Sequence, residues 1–161
     1  ALHAMKYIAI TLMIFVMQSH ADVDLVKVLK TERKMYLLDG GETIAEFDIA
    51  LGGEPVGHKE REGDQRTPEG EYVLDYKKED STFYRAMHID YPNSTDIKTA
   101  QDLGVSPGGL IMVHGQRNGL GWFAWITQNF DWTDGCIALT NSQMDTFMEL
   151  VSAGTKIHIE Q

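Results

Sequence analysis

Cysteine, basic residues and long hydrophobic runs are all scarce in this chain of 161 residues. The single cysteine, Cys136, cannot form a disulfide within the chain, so a packed core must stabilise the fold. Lysine and arginine total 14 against 24 acidic residues, and this net negative charge disfavours binding to nucleic acid or anionic lipid. The apolar stretch YIAITLMIFVM at 7–17 is well short of the roughly 20 residues that span a bilayer.

The first 21 residues are predicted to lie outside the folded domain. Lys6, the apolar stretch and the ending QSHA are typical of a secretory signal peptide cleaved after Ala21, with a retained anchor as the alternative. The preceding ALHA is interpreted as an upstream translation or cloning remnant. Residues 22–161 are therefore expected to form one exported domain, periplasmic or associated with the cell wall, without a membrane span after signal removal.

The pattern of residues 22–161 predicts a mostly-β domain. Stretches that alternate apolar and polar residues, or are rich in aromatic and branched residues, predict strands at 24–30, 34–39, 42–53, 70–77, 83–91, 109–115 and 155–160. Two segments favour helices: 94–104, which ends at a glycine, and 140–154, whose Thr140 and Gln143 form a capping box. The aromatic segment 115–131 has no clear periodicity.

The lone thiol has surroundings that suit nucleophilic catalysis. Attack by cysteine on a carbonyl needs a thiolate, a base that generates it, and amide donors for the developing oxyanion. Gly135 permits close approach of a substrate to the backbone, and the amides of Asp134, Gly135 and Cys136 are predicted to converge on one oxygen. A buried, inert Cys136 is the alternative interpretation.

His114 is the predicted base. It ends the apolar strand LIMV and precedes Gly115, so its side chain emerges where a strand meets a loop. His88, inside a strand pattern, is a second candidate, whereas His58 is expected in a solvated loop and His158 on the outward side of the last strand. One cysteine without a nearby histidine pair gives no zinc spacing, so neither a metal nor another cofactor is predicted.

The segments IMVHG and TDGCIAL, in this order, resemble the signature of the L,D-transpeptidase (YkuD-type) catalytic domain. The similarity extends to LGGEPVGHKEREGDQRTPEGEY, to YPN and to the closing GTKIHI. The resemblance implies a single-domain, β-sandwich-like fold with one or two packing helices. It also implies that Cys136 is the nucleophile, His114 the general base and residues 134–136 the oxyanion hole. Gly115 would keep the approach to His114 open, and Thr133 fills the family's Ser/Thr position.

Two positions depart from the family pattern. Asp134 stands where the best-known pattern has histidine, and Ala138 where arginine or asparagine is frequent. Because an acid near the thiol would raise its pKa, Asp134 is expected to point away or to pair with a cation. Arg66 and Arg117 are candidate partners for a substrate carboxylate, and Trp122 is a further candidate for substrate binding.

The resemblance implies action on peptidoglycan stem peptides in cell-wall biogenesis and cell shape. Cys136 would form a thioester with the diamino acid at position three and release D-Ala, assisted by an ion pair with His114. The acyl group would pass to an amine of another stem or of a protein. The alternatives are transfer to water, which makes the domain an L,D-carboxypeptidase or amidase, and a non-catalytic wall-binding module on the same scaffold.

Overall fold

A computed structural model describes residues 22–161, so the predicted signal peptide lies outside the described residues. Eight strands and three short α-helices make up the domain. The strands are β1 (Leu25–Leu29), β2 (Lys34–Asp39), β3 (Glu42–Asp48), β4 (Gly70–Ser81), β5 (Tyr84–Ile89), β6 (Met112–His114), β7 (Ile137–Ala138) and β8 (Thr155–Glu160). The helices are α1 (Ser94–Leu103), α2 (Ala124–Thr127) and α3 (Asn141–Leu150).

The strands form one hydrogen-bonded sheet in the order β3-β2-β1-β8-β4-β5-β6-β7, which curls into a half-barrel. Neighbours are antiparallel except for two parallel pairs, β1 with β8 and β6 with β7. The mostly-β architecture predicted from the sequence is confirmed. None of the helices in the described part of the chain combines the length and apolar character that crossing a bilayer requires.

Alternation along the central strands builds the core. In β1 and β8 every second residue is buried, and Val26, Val28, Ile157 and Ile159 are all at most 1% exposed. Because side chains alternate between faces, each strand offers one apolar face to the interior. Gly40-Gly41 makes the tight turn between β2 and β3, with both residues at positive φ, as a two-residue hairpin turn requires.

Both predicted helices form. Asn93, one residue before the predicted start, caps α1, and Gly104 ends it in the left-handed conformation. Thr140 and Gln143 form the capping box of α3. That helix ends at Leu150 rather than at the predicted Gly154, and it buries Met144, Phe147 and Met148 against the sheet.

Two elements have no clear signal in the sequence. The aromatic segment contains a 3-10 turn at Gly121–Phe123 that leads into α2. Strand β7 has only two residues, Ile137 and Ala138, which pair with Val113 and His114 of β6. Tertiary contacts hold it in place, because Ala138 also exchanges backbone hydrogen bonds with Ala50 on its other side. This short strand brings the two segments of the predicted signature together.

A buried lysine anchors the loop that leads into β4. Lys30 is fully buried, and its Nζ donates to the carbonyl oxygens of Gly57 and Thr67 and forms an ion pair with Glu69 at 2.8 Å. The segment Thr67-Pro68-Glu69-Gly70 is thereby fixed against the end of β1.

Candidate active site

Cys136 and His114 line the same cavity, of about 280 Å³, at one end of two neighbouring strands. His114 is the last residue of β6, and Cys136 immediately precedes β7, which runs parallel to β6. The register pairs His114 with Ala138, so the thiol and the imidazole are both at this end of the sheet. His114 is only 4% exposed, whereas Cys136 is half-buried.

The imidazole of His114 is held in one orientation. Its Nδ1 lies 2.7 Å from the carbonyl oxygen of Gly115, which can only accept, so Nδ1 carries the proton and Nε2 presents its lone pair. The rings of Phe83 and Trp132 pack on it, with centroids 4.6 and 5.7 Å away. A neutral histidine with a basic Nε2 suits proton abstraction.

The expected thiolate–imidazolium ion pair is not favoured in the free protein. Burial lowers the pKa of His114, only partly opposed by its hydrogen bond to Gly115. Burial also raises the pKa of the Cys136 thiol; an amide hydrogen bond from Met112 opposes this, and the charge of Asp134 adds to it. Both groups are therefore neutral near pH 7, because desolvation disfavours each charged form. The sequence alone does not predict these pKa shifts, because they depend on which side chains pack over the site.

Thr133 organises the loop that carries the nucleophile. Its buried Oγ1 donates to the carbonyl oxygen of Cys136 at 2.7 Å and accepts from the amide of Gly135 at 3.1 Å. The Gly135 amide is thus occupied, which corrects the prediction that all three amides of residues 134–136 are available. Within residues 22–161, the amides of Asp134 and Cys136 have no hydrogen-bond partner.

The two glycines of the signature serve close packing. Gly135 has φ +119°, and a Cβ there would lie 2.5 Å from the carbonyl oxygen of Arg66. A Cβ on Gly115 would lie 2.8 Å from Oδ1 of Asn141 and 3.0 Å from Cβ of Tyr84. Gly115 is therefore buried under these side chains rather than keeping the approach to His114 open, and its functional atom is the carbonyl oxygen that orients the imidazole.

The two departures from the family pattern have different surroundings. Asp134 is exposed and lines the same cavity as the thiol, so it does not point away as expected. Within the described residues it also forms no ion pair, so the expected pairing with a cation is not found. Ala138 is fully buried and lies between β6 and Ala50, where a long polar side chain has no space. Asn141 instead accepts a hydrogen bond from the amide of Gln116 at 2.8 Å.

The structure does not bring the three candidate substrate-binding side chains into the cavity. Arg66 contacts Glu60 and the carbonyl oxygen of His58, and it lines a separate depression. Arg117 lies in a separate depression, which shares only Phe83 and Trp132 with the thiol cavity. Trp122 is 73% exposed and packs edge-on against Phe123. The sequence showed their residue types but not the direction of their side chains.

The other histidines described in the structure lie away from the thiol. His88 stacks on Tyr76, and its Nδ1 lies 2.7 Å from Oδ1 of Asp75. His58 was expected in a solvated loop but is half-buried, since its Nε2 contacts Asp96 and its Nδ1 accepts from the amide of Glu69. His158 is half-buried beside Glu160.

Sequence reasoning missed the apolar walls of the cavity. These are the side chains of Phe83, Leu110, Met112 and Trp132. Leu110 is 71% exposed at the rim, and its carbonyl oxygen accepts from the Cys136 thiol at 3.7 Å. Leu110 and Met112 alternate with the buried Ile111 and Val113, but all four residues are apolar, so the sequence contains no signal of which pair lines a cavity.

Neither a serine nucleophile nor a metal site emerges from the described residues. Ser106 lies in GVSPG at 104–108, which matches the G-x-S-x-G pattern of a nucleophile elbow. A nucleophile elbow joins a strand to a helix, whereas this segment is a loop that follows a helix. Its Oγ accepts from the amide of Gly108. Residues 22–161 contain no group of three or more His, Cys, Asp or Glu side chains placed to hold a metal ion.

Comparison with known proteins identifies the family. The sequence profile of the YkuD family, described as the L,D-transpeptidase catalytic domain, matches residues 22–159. This chain belongs to that family. The Escherichia coli K12 protein YafK, whose name assigns it provisionally to the L,D-transpeptidases, is 33% identical over 78 residues, which are 47% of this chain and 30% of YafK.

Solved structures show the same fold. The helical cell shape determining protein Pgp2 of Campylobacter jejuni superposes with a TM-score of 0.66 at 28% identity, covering 86% of this chain and 48% of Pgp2. An L,D-transpeptidase of Xylanimonas cellulosilytica superposes with a TM-score of 0.55 at 15% identity, covering 89% of this chain and 62% of that one. The match with Pgp2 thus spans about half the length of that protein, and the match with YafK less than a third.

Proposed function

We propose that this domain is a cysteine-dependent L,D-transpeptidase that acts on peptidoglycan stem peptides through an acyl-enzyme thioester. The observation that supports this function best is the shared cavity of Cys136 and His114, in which the Gly115 carbonyl leaves Nε2 of the imidazole basic. Membership of the L,D-transpeptidase family supports the substrate class.

The first half-reaction acylates the enzyme. Nε2 of His114 takes the thiol proton as Sγ of Cys136 attacks the carbonyl between the diamino acid and D-Ala. The C–S bond forms, and the amides of Asp134 and Cys136, which have no partner within residues 22–161, donate to the oxyanion. The C–N bond then breaks, and His114 returns the proton to the leaving amine of D-Ala. Positioned acid–base catalysis of this kind is commonly worth about 10²- to 10⁴-fold in rate.

The second half-reaction transfers the acyl group. A neutral amine attacks the thioester carbonyl, a new C–N bond forms and the C–S bond breaks. The amine loses one proton to His114, which returns it to the departing sulfur, so the enzyme is regenerated as the neutral pair. The acceptor is the amine of another stem peptide or of a protein.

Transfer to water at the same site is the second proposed function. The cavity is open to solvent, since Leu110 and Asp134 beside the thiol are exposed. Hydrolysis would make the domain an L,D-carboxypeptidase, or an amidase that releases a protein from the wall. A third hypothesis is that the domain binds the cell wall without catalysing a reaction.

Separation of the products of purified protein and tetrapeptide-bearing muropeptides distinguishes these functions. Cross-linked dimers indicate transpeptidation, and tripeptides indicate hydrolysis. Cys136→Ala is the control, since it removes the covalent route. Intact-mass measurement with a carbapenem-type β-lactam tests the thioester directly: an adduct is expected on the wild type and not on Cys136→Ala. Activity that survives in Cys136→Ala would exclude the mechanism.

The proposed setting is the cell wall. The signature, the family and the similarity to a cell-shape protein support a role in cell-wall biogenesis and cell shape. Export rests on the predicted signal peptide at residues 1–21. Protease protection of the full chain in intact cells tests export: a protein located outside the inner membrane is degraded once the outer layers are opened.

A further inference from the structure

The carboxylate of Asp134 is a charged group in the cavity that the proposed mechanism does not use. It is exposed, lines the cavity beside Cys136, and forms no ion pair or side-chain hydrogen bond within residues 22–161. The neighbouring side chain of Thr133 makes two hydrogen bonds, so the loop does not depend on Asp134 for its shape.

An unpaired carboxylate at this position works against the nucleophile. The charge of Asp134 contributes to the raised pKa of the Cys136 thiol, because a nearby negative charge disfavours the thiolate. In the free protein, the Asp134 side chain thus neither stabilises the loop nor assists the thiol.

The charged groups around Asp134 leave it free to bind a cation. It is shared by the thiol cavity and by a second depression of about 370 Å³, which Lys59 and Glu62 also line. Lys59 is almost fully buried, and its ammonium is taken by Asp64 at 2.8 Å. Lys78 lies in the thiol cavity but forms no ion pair with Asp134. The carboxylate can thus be reached from two sides of the thiol.

We propose that Asp134 is a specificity residue that binds an alkylammonium group of the peptide substrate beside Cys136. This inference rests on the proposed function, because the diamino acid of a stem peptide carries such a group on its side chain. The ammonium belongs either to the donor, whose third residue is acylated, or to the acceptor, whose amine attacks the thioester. Binding requires no covalent change at Asp134, and an acceptor ammonium gives one proton to solvent before it attacks.

The donor arm of the experiment measures binding without chemistry. Titration calorimetry compares tetrapeptides with a free and an acetylated side-chain amine on Cys136→Ala and on Cys136→Ala/Asp134→Asn. An ammonium held by a charge-assisted hydrogen bond is expected to make the free amine bind about three- to tenfold more tightly, and only when Asp134 is present. Glu54→Gln is the matched control, because Glu54 is an exposed carboxylate in a different depression.

The acceptor arm measures partition of the acyl-enzyme. The thioester is formed from the donor with the acetylated amine, so that only the acceptor carries an ammonium. The ratio of transfer to hydrolysis is then compared among wild type, Asp134→Asn and Glu54→Gln. A loss of about three- to tenfold in Asp134→Asn alone assigns the ammonium to the acceptor. Alkylation of Cys136 by iodoacetamide checks the fold, since Asp134→Asn should shift its pH profile to lower pH.

Selective loss in either arm supports the proposal and identifies the source of the ammonium. Behaviour of Asp134→Asn like that of Glu54→Gln in both arms overturns it. Failure of the proposed function gives a different result, because the wild type then forms neither a β-lactam adduct nor an acyl-enzyme. The calorimetric measurement on Cys136→Ala still shows in that case whether Asp134 selects the ammonium.

Discussion

Replacement of Thr133 by valine tests whether its hydroxyl positions the nucleophile. Valine keeps the shape of the side chain and removes Oγ1, which donates to the Cys136 carbonyl at 2.7 Å and accepts from the Gly135 amide at 3.1 Å. Each hydrogen bond contributes about 0.5 to 1.5 kcal/mol net, so the free energy of unfolding should fall by about 1 to 3 kcal/mol. Thr133→Ser retains the hydroxyl and is the matched control.

The same substitution should slow acylation of the thiol. If the loop carrying Cys136 moves, loss of about 1.4 kcal/mol of transition-state stabilisation reduces the rate tenfold. Urea unfolding followed by tryptophan fluorescence gives the stability, and a time course of β-lactam adduct formation by intact mass gives the rate. Equal stability and equal acylation rates for the valine and serine variants would refute the positioning role of Thr133.

Four further predictions concern the pKa of His114, the pKa of Cys136, a buried ion pair and a glycine. Because the pKa of His114 is lowered from its ordinary value of 6.5, the acid limb of the pH–rate profile of acylation should lie below pH 6.5. The unfolded chain binds a proton at His114 more readily than the folded chain does. The free energy of unfolding should therefore also fall as the pH drops below 6.5. An acid limb above pH 6.5 would contradict this. The pKa of Cys136 is raised from 9.0, so alkylation of the free protein by iodoacetamide should reach half its maximal rate only above pH 9.0. Lys30→Met leaves Glu69 and two carbonyl oxygens without their ammonium partner, so the free energy of unfolding measured in urea should fall by about 3 kcal/mol. The double variant Lys30→Met/Glu69→Gln should recover part of this loss. An unchanged urea midpoint for Lys30→Met would argue against an anchoring role of Lys30. In Gly135→Ala the new Cβ would lie 2.5 Å from the carbonyl oxygen of Arg66, at a residue whose φ is +119°. The substitution should therefore lower the thermal unfolding midpoint and slow formation of the β-lactam adduct at least tenfold. A variant as active as the wild type would mean that the loop can move away from Arg66.

Part of the fold follows from local sequence. The alternation at 24–30 and 155–160 predicts β1 and β8, because one face of each strand must be apolar to cover the core. Thr140 and Gln143 predict the start of α3, because capping is a property of four consecutive residues. The motif around His114 and Cys136 predicts the family, which the comparison confirms.

The arrangement of the site required the tertiary structure. Strand β7 has two residues and no pattern of its own, so its pairing with β6 depends on backbone partners far away in the chain, such as Ala50. The direction in which Arg66 and Arg117 point likewise depends on loops that pack beside them. Long side chains adopt many rotamers, and residue type alone does not select one.

The sequence by itself determined which atoms are available for chemistry: one thiol, a histidine at the end of a strand, and a glycine before the cysteine. Only the tertiary structure decided their state. Phe83 and Trp132 pack over the imidazole, and the Gly115 carbonyl fixes its tautomer. The thiol and the imidazole stay neutral because the segments around them exclude water, and desolvation is a property of the assembled fold rather than of any local stretch of chain.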